Sequence, residues 1–137
     1  MTLTLPPPQL PSPLHRAMVL APDPVSVRRA RQLIKDMCQT AGVDEDVCSS
    51  AVLLTSELVT NALTHGRSEA RLQVQAAADV MVVEVADDNS RHPERVASDP
   101  QALDGRGLEI VQLVAARWGV RDDDCGKTVW FEVRAAA

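Results

Sequence analysis

The feature that most constrains this chain is an abrupt change of hydrophobic period at Arg71. From Val27 to Ala62 apolar residues recur every three to four positions; from Arg71 to Ala76 they alternate. Val27, Ala30, Ile34, Met37 and Ala41 form one stripe, opened by Asp23-Pro24 and closed by Gly42. Val47, Ala51, Leu54, Leu58 and Ala62 form another, opened by Asp44 and closed by Gly66. Three-to-four spacing gathers residues on one side of an α-helix, with Asp as N-cap, Pro at the first position and Gly as the stop. From Arg71 onward Leu72, Val74 and Ala76 oppose Arg71, Gln73 and Gln75, which makes a strand with one wet face. Val80 to Asp88 is its hairpin partner through Ala77–Asp79.

The remaining segments complete the pattern. His15 to Ala21 is a first strand, broken by Pro22 and Pro24. Periodicity vanishes between Asn89 and Asp104, a loop of about sixteen residues, long enough to be functional. Gly105 to Trp118 is a third helix through Leu108, Val111, Val114, Ala115 and Trp118. Residues 117–121 and 128–134 are two last strands around an acidic turn, Asp122 to Asp124, and Gly126. The expected fold class is α+β, a two-layer sandwich of three helices on one face of a mixed, mostly antiparallel sheet.

Composition narrows the function classes. A chain of 137 residues holds one domain, with 45% hydrophobic and 24% charged residues typical of a globule. The only aromatics are Trp118, Trp130 and Phe131, so the core is aliphatic and no platform exists for stacking single-stranded nucleic acid. A formal net charge of −5 removes the footprint of a phosphate-backbone binder. A protein or a small ligand is the expected partner, without nucleic acid or membrane. Three cysteines, Cys38, Cys48 and Cys125, have no zinc spacing and suit a reducing, cytoplasmic setting. No stretch is read as approaching a membrane span. Residues 1–14 carry five prolines and no basic residue, and are expected to be a flexible arm ahead of a domain spanning 15–137.

Three places carry chemistry. Glu57, Asn61 and His65 recur four residues apart and stack on one helix face. A solvated stripe would look the same; the sharper reading is a metal and phosphate face, since an amide oxygen is a hard ligand for Mg²⁺ and a carboxylate can orient a nucleophile. Asp87 shares the parity of Met81, Val83 and Val85, so it faces the buried side while Asp88 faces water. A buried carboxylate needs a donor, which a structural cap or an adenine amino group would supply. Gly105-Arg106-Gly107 opens the third helix, where free amides can meet an anion, although glycines also simply start helices after loops.

In this order the pieces resemble the ATP-binding superfamily that includes gyrase and the histidine kinases, the GHKL or Bergerat fold. Glu57-Leu58-Val59-Thr60-Asn61-Ala62-Leu63-Thr64-His65-Gly66 resembles its N box, in the form found in the anti-sigma factor serine/threonine kinase branch. Asp87 resembles the aspartate of the first glycine box, Gly105-Arg106-Gly107-Leu108 the second, and Gly126-Lys127-Thr128 the closing glycine-threonine element. The resemblance implies that ATP and Mg²⁺ are bound. Asn61 would coordinate Mg²⁺, Asp87 would bind the adenine amino group, and Thr128 would lie beside it. His65, Gly105, Arg106, Gly107 and Leu108 would line the nucleotide, and residues 89–104 would form a lid. Arg91, Arg95 and Arg106 would neutralise the γ-phosphate, and Glu57 would be the catalytic base. The implied partners are an anti-sigma antagonist, a sigma factor and a second copy of the chain. The sequence departs from the family in its first glycine box, where Asp87-Asp88-Asn89-Ser90-Arg91 lacks both glycines. The alternative function is therefore a nucleotide-sensing interaction module with little or no kinase activity.

Overall fold

The computed structural model describes residues 6–65, 69–88, 110–111, 113–123 and 126–136. Within them the chain runs β1 (Leu14–Leu20), α1 (Val25–Ala41), α2 (Glu45–His65), β2 (Ala70–Ala77), β3 (Val80–Asp87), β4 (Arg117–Asp123) and β5 (Gly126–Arg134). The strands form one sheet in the order β1-β2-β3-β5-β4. Every pairing is antiparallel, so the expected mixed sheet is corrected. The third predicted helix falls largely outside the described residues. Residues 110, 111, 113 and 114 are helical, Ala115 N–H still donates to the Val111 carbonyl at 2.8 Å, and Trp118 belongs to β4. The final hairpin is also tighter than expected, because Asp122 and Asp123 lie within β4.

Local chemistry sets the helix limits. The Asp23 carboxylate accepts from Val25 N–H at 2.9 Å, so α1 begins one residue later than predicted, with Pro24 just ahead of it. Gly42 closes α1 at φ 63°, a left-handed conformation that favours glycine. Asp44 caps α2 by accepting from Asp46 N–H and Val47 N–H, both at 3.1 Å. Glu45–Thr64 is long and apolar enough to cross a bilayer, contrary to the sequence reading. In this fold its stripe of Val47, Ala51, Leu54, Leu58 and Ala62 is buried against the sheet and α1.

The core lies between the helices and one face of the sheet. Leu72, Val74, Met81, Val83, Val85, Phe131 and Val133 supply the sheet side, and Ile34, Met37, Leu54 and Val59 the helix side. Burying an aliphatic side chain stabilises the fold by about 1.5–3 kcal/mol, so this layer is the main stabilising term. Cys38 and Cys48, expected to be reduced, are joined in a disulfide between α1 and α2.

The other face mixes polar and apolar side chains: Val80, Val82 and Trp130 are buried on it, while Arg71, Gln73 and Arg121 are exposed. Glu132 is fully buried there, between Arg117, whose Nε donates at 2.8 Å, and Arg134, which also donates to it. The proline-rich segment expected to be flexible is seated on this face at Pro8–Leu10, with Leu10 buried against Val80 and Val82.

Candidate functional site

Element lengths bring the candidate residues to one end of the sheet. Asp44 N–H donates to the Ala78 carbonyl at 2.8 Å, which fixes the start of α2 at the β2–β3 turn. From there to Asn61 the helix rises about 26 Å at its standard 1.5 Å per residue. From Val80 to Asp87, β3 extends about 23 Å at 3.3 Å per residue. α2 packs on β3, so these lengths carry Asn61 about as far from the β2–β3 turn as Asp87. Glu57 stands one turn earlier on the same face. Ala70, which opens β2 shortly after α2 ends, pairs with Asp87 and confirms that the helix terminates at this end.

The burial pattern separates this face from the rest of α2. Leu54, Leu58, Val59 and Ala62 are buried, whereas Glu57, Thr60 and Asn61 are half-buried. A carboxylate and an amide can therefore meet solvent or a ligand without leaving the helix. His65 closes α2, and its side chain lies outside the described residues.

Asp87 ends β3 and is only 5% exposed, while Asp88 is exposed and pairs with Arg71 at 3.3 Å. The expected parity of the two aspartates thus holds in the structure. β5 opens directly beside them. A Cβ built on Gly126 would stand 1.9 Å from the Asp87 carbonyl oxygen and 2.8 Å from Asp88 Cα, so only glycine permits this approach.

Register places the next two residues on opposite pleats. Lys127 pairs with Asp87 and Val129 with Val85, on the core side. Thr128 pairs with Ala86, on the outer pleat with Trp130 and Glu132. Thr128, expected beside Asp87, is buried on that other side, because Val129, Phe131 and Val133 take the inward positions. The cation missed by sequence reasoning is Lys127. Counting back by twos from Phe131 would have found it. Gly105, Arg106, Gly107, Leu108, and the lid with Arg91 and Arg95, lie outside the described residues.

The donor set can be tested against a bound metal. Among the described residues no group of three or more His, Cys, Asp or Glu is placed to hold one. Asn61 offers one hard amide oxygen, which fits Mg²⁺, an ion that keeps several waters and takes most of its other ligands from phosphates. Asn61 therefore fits a metal brought by a nucleotide.

Electrostatics add one perturbed group away from this end. Glu84, on the outer pleat opposite Trp130, has its pKa raised by burial, against the opposing pull of Arg121 and His15.

The family model described as histidine kinase-like ATPase domain matches residues 20–133. No curated protein matches the sequence. The match runs from the end of β1 through α2 and β3 and into β5, and so covers every described element that builds the site. The chain belongs to the histidine kinase-like ATPase domain family.

Proposed function

We propose that this protein is an ATP-binding regulator that acts as an anti-sigma factor, phosphorylating serine or threonine on an antagonist protein and so controlling sigma-factor availability. The observation that carries the reading is a buried Asp87 at the end of β3 together with Glu57 and Asn61, half-buried one turn apart on α2. ATP with Mg²⁺ supplies the transferable phosphoryl group. Asn61 holds the metal through its amide oxygen, and Asp87 accepts from the adenine amino group. His65, Gly105, Arg106, Gly107 and Leu108 are assigned to the nucleotide by the motifs they resemble. Glu57 orients the substrate hydroxyl and accepts its proton. Phosphoryl transfer depends mostly on positioning and charge neutralisation, so a sparse set of groups suffices.

Calorimetric titration of ATP, with and without Mg²⁺, tests the binding half. Wild type binds, Asn61→Ala loses the Mg²⁺-dependent part, and absence of binding by wild type ends the reading. Transfer of labelled phosphate to a cognate antagonist, abolished by Glu57→Ala, tests the catalytic half.

A second reading, a nucleotide-sensing module without kinase activity, is favoured by Lys127. Its position opposite Asp87 puts a cation beside the carboxylate that would read adenine. Both glycines of the first glycine box are also replaced, by Asn89 and Arg91. ATP binding with no phosphate transfer, whatever residue stands at 57, selects this reading.

A further inference from the structure

We infer that the outer face of β2 and β3 is a peptide-docking seat, closed in this structure by residues 8–10 of the same chain. The seat has two parts. Gln75 is a buried amide on the outer pleat, only 5% exposed. Its Oε1 accepts from Leu10 N–H at 2.8 Å and from Gln9 Nε2 at 3.1 Å, and its Nε2 donates to the Pro8 carbonyl at 3.0 Å. Beside it, Val80 and Val82, with Ala77, make an apolar floor under Leu10, which is 7% exposed.

The contacts show what kind of ligand fits. Gln75 reads the carbonyl of one residue and the N–H of the second one after it. A strand lying parallel to the bound segment would offer the same pair of bonds, here supplied by one side chain. Those two bonds go to main-chain atoms and are indifferent to side-chain identity. Selectivity comes from the leucine and from the flanking Pro8 and Pro11, which hold the backbone extended before it docks. The occupant is thus an extended, proline-flanked segment with one leucine. A tether keeps the chain's own copy at high local concentration, yet its hold is one leucine and three hydrogen bonds, small enough for exchange.

The seat serves an extended Pro-x-Leu segment of a partner protein, and the chain's own arm is the strap that keeps it shut. This reading is independent of nucleotide binding, since Gln75, Val80 and Val82 are on the pleat away from Asn61 and Asp87.

Fluorescence polarisation with the labelled heptapeptide Pro-Pro-Pro-Gln-Leu-Pro-Ser tests it on the full chain. Wild type binds weakly because the strap competes. Leu10→Asp, which expels the strap, binds at least tenfold more tightly, and adding Gln75→Ala reverses the gain. Equal binding by wild type and Leu10→Asp, or no loss with Gln75→Ala, overturns the proposal. Should Leu10→Asp fail to fold, hydrogen exchange decides instead. The Leu10 amide is protected in wild type and unprotected in Gln75→Ala, and an unprotected amide in wild type overturns the seat. A wild-type dimer by sedimentation that Leu10→Asp abolishes assigns the seat to a second copy's arm and overturns the partner reading.

Discussion

The two ends of the sheet are built on opposite terms. At the β2–β3 turn, backbone groups close on one another: Asp44 N–H meets the Ala78 carbonyl and Ala135 N–H meets the Asp79 carbonyl, each at 2.8 Å. Apolar Val80, Val82 and Leu10 seal the outer side. At the opposite end the helix face turns polar at Glu57 and Asn61, Asp87 is buried beside Lys127, and Gly126 presses against the Asp87 carbonyl. The closed end satisfies its buried polar groups within the fold, Gln75 with the arm and Glu132 with Arg117 and Arg134, whereas the other end leaves Glu57 and Asn61 half-buried.

The hardest strain on that contrast is a methyl group at Gly126. Gly126→Ala forces its Cβ into backbone that cannot move aside, and costs about 3 kcal/mol by the measure of overpacked cores. Thermal unfolding reads the loss, and an unchanged midpoint means that the functional end is looser than described. Asn61→Ala discriminates between the ends in the other direction. It weakens Mg-ATP binding by roughly tenfold or more, about 1.4 kcal/mol, and leaves the unfolding midpoint near wild type. A large drop in stability instead would make Asn61 a structural residue.

Smaller effects test the closed end and the core beneath it. Asp44→Ala removes the cap of α2 and costs about 1 kcal/mol in denaturant unfolding, with ATP affinity unaffected. Thr55→Val stabilises by up to about 1 kcal/mol, because the buried Thr55 hydroxyl oxygen has no hydrogen-bond partner among the described residues. Glu84 gives the smallest effect and a pH signature. Burial raises its pKa in the folded state above the unfolded value of 4.5, so the native form holds the proton more tightly. The stabilisation is fully present below the unfolded pKa and is lost as pH rises through the folded one. Glu84→Gln flattens that slope, and urea midpoints measured across the carboxylate range show it.

Much of this contrast was legible in the sequence. Helix limits at Gly42 and Asp44 follow from period and capping, which act within a turn and are written in adjacent residues. The inward parity of Asp87 followed from three apolar neighbours on alternate positions. The inward place of Lys127 was legible by counting back by twos from Phe131, whereas the close approach of Gly126 to the Asp87 carbonyl was not, because it depends on the pairing of β5 with β3. The docking of Leu10 on Gln75 spans 65 residues and leaves no periodic trace. Joining Cys38 to Cys48 depends on how α1 and α2 pack, a tertiary fact that ten residues of spacing do not announce.

Strand order has a consequence for synthesis. β5 lies between β3 and β4, although it is the last of the five to leave the ribosome. The helical hairpin and the β2–β3 hairpin can assemble from near neighbours in sequence, and β1, made before both helices, is already present to pair with β2. β4, by contrast, has no strand to join until β5 follows it, and β3 keeps an unpaired edge for the same interval. The nascent chain therefore exposes a ready template for wrong pairing until Arg134 is made, and this is when a chaperone that shields strand edges would matter most.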